Sequence, residues 1–499
     1  HIIVFLHPTS FNKSFIRMGT QRDEEKRYNA LFGSRVRFFV MLVVLFCLTA
    51  IWSNILTLNF VVICMAPVEN GTIEQNVDRY SYSNSEFQWL ISVVAIAALA
   101  TNGVVVYLID KIGIRTVFTG LGFLSAIVTM CIPMAIRQGY YFLLFARFLQ
   151  GVSFAANFPV IGAFCAKWAY FKQVGLLVSV LVAYVQLSPT ITMSVSGPLC
   201  QSSFGWPSVF YAHAVATFLL FVFYAIFYRN SPQKHPFVGS VEKAKIAIGK
   251  ATVADKKSRV PVPYLAILRT PAVYAVWIAS IANFGAVNLM LAFTPIYFSR
   301  VLGISITSTG FSAALPPLSQ FVVKVVAGWI SDRVKFCSET NKLRLFNSIA
   351  MIPCGGFFVV LGFLGTENPK LNMLAMGAAA GFLGAATGGF FKAGPMISKQ
   401  YSHVVTGAFS LMLTLMMLLI PIIVNAVLDG EMGIERWQRV FLGTAALMWI
   451  NNAIFCIFVR AEPCKWTETT GVSPCATVSK DLESTGKSIE QSKETPEKF

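Results

Sequence analysis

Long apolar runs, each near the ~20 residues that cross a bilayer as a helix, alternate along this chain with short stretches that carry most of its charge. Twelve runs are legible. They fall at about 38–66, 87–109, 117–136, 140–165, 174–199 and 208–228, and then at about 272–297, 306–330, 345–365, 371–397, 404–428 and 437–459. In lipid every backbone N–H and C=O must find its partner within the segment, so runs of this length predict helices. The expectation is an all-α polytopic membrane protein with twelve transmembrane helices in two six-helix halves. The pattern divides the chain into a head at 1–37, a first half at 38–228, a polar linker at 229–270, a second half at 271–459 and a tail at 460–499. The tail is rich in Ser, Thr, Lys and Glu and is expected to be disordered.

Composition agrees with a membrane protein: 55% of the 499 residues are hydrophobic, 13% are charged and the mean hydropathy is +0.64. The net charge of +17 does not call for nucleic acid, because the bases form no single stripe. They gather before the first run (Lys26, Arg27, Arg35, Arg37) and in the linker (Arg229, Lys234, Lys243, Lys245, Lys250, Lys256, Lys257, Arg259, Arg269). Such an alternation marks the cytoplasmic loops, so both termini are expected in the cytoplasm and the lipid bilayer is the partner implied. Residues 67–86 then face the other side, where Asn70-Gly71-Thr72 is a glycosylation sequon. The sequon at Asn12 lies on the wrong side and is expected to stay bare. Residue 1 is His, and Met18 opens a head that reads as a conventional start. No cleavable signal peptide is visible, and the first run reads as a signal anchor. The ten cysteines suggest no disulfide framework, since most sit inside apolar runs as small hydrophobes.

Two charged knots repeat between the halves. GVVVYLIDKIGIR, 103–115, places Asp110, Lys111, Gly113 and Arg115 at a membrane surface between two runs, and GWISDRV, 328–334, ends another run with Asp332 and Arg333. The pattern D-K-x-G-x-R after a helix resembles the signature loop of the major facilitator superfamily, and two copies imply the internal repeat that such transporters have. These groups are expected to gate the inner mouth. Further stretches resemble one branch, the anion:cation symporters that include sialin, the vesicular glutamate transporters and the type I sodium–phosphate transporters. They are RFLQG at 147–151 with Phe158-Pro159, GWPSVFY at 205–211, NSPQKHPFVGSVEKAKI at 230–246, VPYLAILRTPAVYAVWIA at 262–279 and SAALPPLSQFVVKVVAGWISDR at 312–333. The match weakens after 340, as in a divergent member. Two departures stand out. Where the branch commonly carries a proton-coupling Glu, seven residues after the span-four Arg, this chain has Phe154. Where many members carry Arg before an Asn in the first span, it has Ser53-Asn54.

Polar groups left inside lipid each cost a few kcal/mol unless they line a cavity. Three bases lie in the runs (Arg147, Lys324, Lys392), whereas no Asp or Glu falls well inside any of them. A cavity of that sign attracts anions and repels cations. Arg147 sits ~10 Å below the outer face by helical rise and matches the arginine of the branch's R-x-L-Q-G motif, which the resemblance implies contacts substrate. The other reading is a structural Arg bonded to helix carbonyls. Lys324 and Lys392 lie in the cytoplasmic third, where contact with substrate and snorkelling to headgroups are both open. Asn54, Thr57, Tyr184, Asn283 and Asn288 could add to a site or bond neighbouring helices. The function expected is secondary active transport of a small anionic substrate, organic anion or phosphate, by alternating access. The rival is a transporter-like sensor or scaffold that no longer transports. An enzyme is not expected, since no run holds a His/Asp or Ser/His pair and His213 stands alone. No cofactor or metal is expected beyond a coupling ion, sodium or proton, and the molecule is expected to be a monomer in the plasma membrane or an endolysosomal or vesicular membrane.

Overall fold

The computed structural model describes residues 35–65, 82–169, 174–247, 263–333, 337–428 and 433–467. Asn70 and Asn12, with their sequons, lie outside these residues. Twelve helices are long and apolar enough to cross a membrane: Val36–Met65, Ser85–Ile112, Ile114–Gln138, Tyr140–Trp168, Leu177–Gln201 and Pro207–Phe227, then Pro271–Val301, Ile306–Ser331, Glu339–Phe363, Pro369–Ser398, Val404–Leu428 and Ile434–Phe458. They are spans one to twelve below. No strand occurs among the described residues, as a lipid solvent demands of an open chain.

Local chemistry sets the span ends. Ser83 caps span two through a capping box: its Oγ accepts from Glu86 N, while the Glu86 carboxylate accepts from Ser83 N at 2.9 Å. Spans two and three meet at Gly113, whose φ of 93° favours glycine. An added Cβ there would also lie 2.5 Å from Asn230 Nδ2, so the turn depends on glycine for both conformation and space. Inside the spans, span four turns at Ala155–Ala156 and span ten loosens over Gly384–Gly388. These are corresponding members of the two halves, which fits an internal repeat.

The halves meet where span five packs on span eight, span two on span eleven and span one on span seven. At the face opposite the linker, Gly197 and Gly310 let spans five and eight cross almost backbone to backbone. A Cβ on Gly310 would stand 2.7 Å from Met193 O. Thr307 and Gln201 hydrogen-bond beside this crossing. On the same face Cys64 and Cys200 form a disulfide between spans one and five, which corrects the expectation that the cysteines suggest no disulfide framework.

The linker is more than a tether. Its helix Ser240–Ala247 places Glu242, fully buried, under the start of span one. There the carboxylate accepts the backbone N–H groups of Val36 at 3.2 Å and Arg37 at 3.1 Å. A negative group at the positive end of a helix satisfies orphan donors and the macrodipole together. The first tail residues also pack, contrary to the expected disorder from 460. Cys464 N bonds Ile397 O, and Trp466 Nε1 donates to Thr270 Oγ1 at 3.0 Å. Both ends of the described chain therefore lie on the linker face.

Candidate functional site

The central cavity forms where span one supplies Trp52, Ile55, Leu56 and Asn59, span four supplies Arg147, and span seven supplies Asn288, Leu291 and Ala292. Ile91, Met417 and Pro421 close it from spans two and eleven. It lies between the halves. Its volume, about 10 Å³, leaves room for about one water.

Arg147 is fully buried. Its Nε donates to Leu90 O at 3.0 Å, and its Nη1 to Ile55 O at 2.9 Å and to Gln150 Oε1 at 2.8 Å. Among the described residues Nη2 has no hydrogen-bond partner. The carbonyl-bonded reading is thus true of two of the three guanidinium nitrogens. All three acceptors are neutral, so they orient the charge without cancelling it. A buried charge lacking a counter-ion costs several kcal/mol, which three bonds at about 1.5–3 kcal/mol each offset without supplying an opposite charge. A carboxylate or phosphate at Nη2 would supply the missing charge through charge-assisted hydrogen bonds to the two N–H groups that remain. Asn59 Oδ1 and Trp52 Nε1 also lack partners and line the same cavity, adding an acceptor and a donor for polar substituents. Asn288 lines it too, its Nδ2 donating to Phe284 O.

Gln150, which sequence reasoning passed over, ties Arg147 to the core of its half. It stands three residues on, hence on the same helix face, and its Nε2 donates to Asn54 O at 3.0 Å and Thr129 Oγ1 at 2.8 Å. Asn54 is the hub of this network. Its Nδ2 donates to Ser125 Oγ at 2.9 Å and its Oδ1 accepts from Thr217 Oγ1 at 3.1 Å. Thr57 bonds back to Asn54 O. Asn54 is therefore bound up in packing spans one, three and six, Thr57 bonds within span one, and neither lines the cavity. Tyr184 is buried as well, edge-on to Phe158 with ring centroids 6.1 Å apart. Phe154, in the place of the branch's carboxylate, stacks on Trp52 at 4.6 Å.

Nearer the linker, Lys324 and Asn283 line a different cavity with Gln186, Gln320 and Thr387. Lys392 is apart from both cavities, and its Nζ donates to Ser331 Oγ at 3.3 Å. Among the described residues, Arg115 of the first charged knot is not paired with Asp110. Arg115 donates through Nε and Nη2 to Ala225 O at 2.9 and 2.6 Å, at the end of span six, rather than to Asp110, which is exposed. Arg333 lies 3.9 Å over the Trp329 ring and Lys111 lies over Tyr107. The side chain of Asp332 lies outside the described set.

The family model of the Major Facilitator Superfamily matches residues 38–421. The chain is 27% identical to vesicular glutamate transporter 3 of Danio rerio over 75% of its own length and 64% of that protein. It is 28% identical to human vesicular glutamate transporter 2 over 75% and 65%, so it spans just under two thirds of these relatives. An uncharacterized transporter of Caenorhabditis elegans, slc-17.2, matches at 27% over 87% of this chain and 93% of its own. Among solved structures, a bacterial homolog of the human lysosomal transporter Spinster, in an inward-facing, unoccupied conformation, aligns with a TM-score of 0.63 at 12% identity, covering 86% of this chain and 98% of that one. Match and fold agree: the chain belongs to the major facilitator superfamily.

Proposed function

We propose that this protein is a secondary active carrier of small anions, working by alternating access, with the anion held by Arg147 in the cavity between the halves. One observation carries the reading: a fully buried guanidinium whose Nη2 has no partner among the described residues lines the inter-half cavity, and none of its partners is an acid. Alternating access is supported by the way each half keeps its own polar network, around Asn54 in the first and Asn452 in the second. Residues 38–228 and 271–459 are the two moving bodies, and the knots at Asp110–Arg115 and Asp332–Arg333 pair when the linker face closes. Small organic acids are the favoured substrates, because relatives are vesicular glutamate transporters and a guanidinium fork matches a carboxylate. With Phe154 where a coupling carboxylate would stand, membrane potential or a co-ion such as sodium drives the anion rather than the proton gradient. The linker face is cytoplasmic by its bases, and the membrane is vesicular by analogy with those relatives.

The test is uptake into proteoliposomes of purified protein, across glutamate, other small carboxylates and inorganic phosphate, at fixed voltages. Saturable uptake of at least one anion is expected. If none enters at any voltage while the protein is folded and inserted, the carrier reading fails and the scaffold reading takes its place.

A further inference from the structure

Three small cavities line up along span seven. The first holds Arg147 and touches Asn288, Leu291 and Ala292; the second touches Val287, Met290 and Leu291; the third touches Asn283, Phe284 and Val287. Leu291 is shared by the first and second, while Val287 and Gln320 are shared by the second and third. A continuous seam therefore runs from Arg147 toward the linker face and ends at Lys324. We propose that the Lys324 cavity is a second anion station, which receives the carboxylate or phosphate group of the transported anion on its way to or from Arg147. The proposal rests on the carrier reading above and adds a site to it.

The chemistry of the third cavity supports an anion. Its lining contains one cation, Lys324, the amides of Gln186, Asn283 and Gln320, and the hydroxyl of Thr387, with no acid among them. Asn283 is only 2% exposed, and its Nδ2 has no partner, so a buried donor faces an unmet demand of about 1–3 kcal/mol. Lys324 is held loosely. Its Nζ reaches Gln186 Oε1 at 3.5 Å, the limit of a hydrogen bond, and lies 5.6 Å over the Phe391 ring. An anionic oxygen outcompetes a neutral amide oxygen at that distance, because charge-assisted bonds are about twice as strong.

The station also sits on the seam. Gln186 Nε2 of span five donates to Gln320 Oε1 of span eight at 3.3 Å, and Gln320 stands one turn before Lys324 on the same face. An anion that draws Gln186 from Lys324 thus acts on a bond joining the halves. Spacing argues for two stations rather than one large site. Between the cavity of Asn288 and that of Asn283 lies the second cavity, lined by Val287, Met290 and Leu291 and by no charged residue, so the two cations do not line one site. The two cations differ in kind as well. The Arg147 fork imposes a planar, two-point geometry, whereas an ammonium is a point charge that accepts many orientations. Lys324 therefore suits a holding station and Arg147 a selecting one.

The experiment measures anion-dependent thermal stabilisation of purified protein, with glutamate and inorganic phosphate against sodium chloride at equal ionic strength, alongside uptake. Arg147→Gln is expected to abolish uptake yet keep part of the stabilisation, which the added Lys324→Gln change removes. Lys324→Arg should keep it, and Asn283→Ala should weaken it about threefold in half-saturating concentration. Loss of all stabilisation in Arg147→Gln alone would overturn the second station and leave the carrier reading intact. Full stabilisation in the double variant, or none in the wild type, would overturn it equally. Stabilisation that depends on Lys324 in a wild type without uptake would sustain the station and refute the carrier.

Discussion

Arg147 is orientated by its own half and left incomplete toward the other. Leu90 O, Ile55 O and Gln150 Oε1 take two of its nitrogens, so the side chain is rigid before any ligand arrives, which limits the ordering cost of binding. Seven residues on, Phe154 stacks on Trp52, itself a wall of the cavity. An aromatic wall here contributes no titrating group, so uptake should change less than about twofold when a pH gradient is imposed at clamped voltage. Phe154→Glu should introduce a steep dependence on that gradient, because a carboxyl buried beside apolar groups titrates nearer neutrality. Comparing the two slopes in the same vesicles checks the point, and a steep slope in the wild type would place the coupling group elsewhere. Arg147 was legible in the sequence because a cation among apolar neighbours has few innocent explanations. Asn54 and Thr57 were legible as polar but not in direction: which way a helix face turns is settled by packing, and theirs turns into the first half. Gln150 read as one more motif letter, although its three-residue spacing from Arg147 puts it on the same face.

At the scale of elements, the spans were legible to within a few residues because lipid leaves a chain so few options. The connections were not. Nothing local in the linker announces that Glu242 caps span one, since its partners lie 206 and 205 residues away. The pairing of Cys64 with Cys200, separated by 136 residues, was hidden for the same reason. Long-range contacts leave no periodicity to read. The Glu242 cap makes a quantitative expectation possible. Two backbone donors to one buried carboxylate are worth about 1.5–3 kcal/mol each, and Glu242→Gln keeps the shape while losing the charge. That variant should unfold at a temperature several degrees lower in detergent, a loss of about 2 kcal/mol, with Glu242→Ala lower still. An unchanged melting curve would mean that the linker helix contributes nothing to holding span one.

For the whole molecule, sidedness and mechanism are one question, because Arg147 and Lys324, the two cations of the proposed path, line different cavities between the two faces. Span one ends at Met65 on the face that carries the Cys64–Cys200 disulfide, Asn70 comes five residues later in the sequence, and an oxidising compartment is also the one that adds glycans. Endoglycosidase should therefore shift the wild type on a gel and leave Asn70→Gln unshifted, while alkylation of the unreduced, unfolded protein should spare Cys64 and Cys200. A shift that depends on Asn12 would invert the orientation. The central claim is that the anion completes the charge of Arg147, and it is tested most directly by anion uptake into proteoliposomes at clamped voltage in wild type, Arg147→Gln and Arg147→Lys. Loss of one charge-assisted fork, about 2–3 kcal/mol, predicts a fall of roughly 10²-fold for Arg147→Gln. Arg147→Lys should be severely impaired although the charge is kept, since an ammonium lacks the fork. Uptake at the wild-type rate in Arg147→Gln would contradict the account.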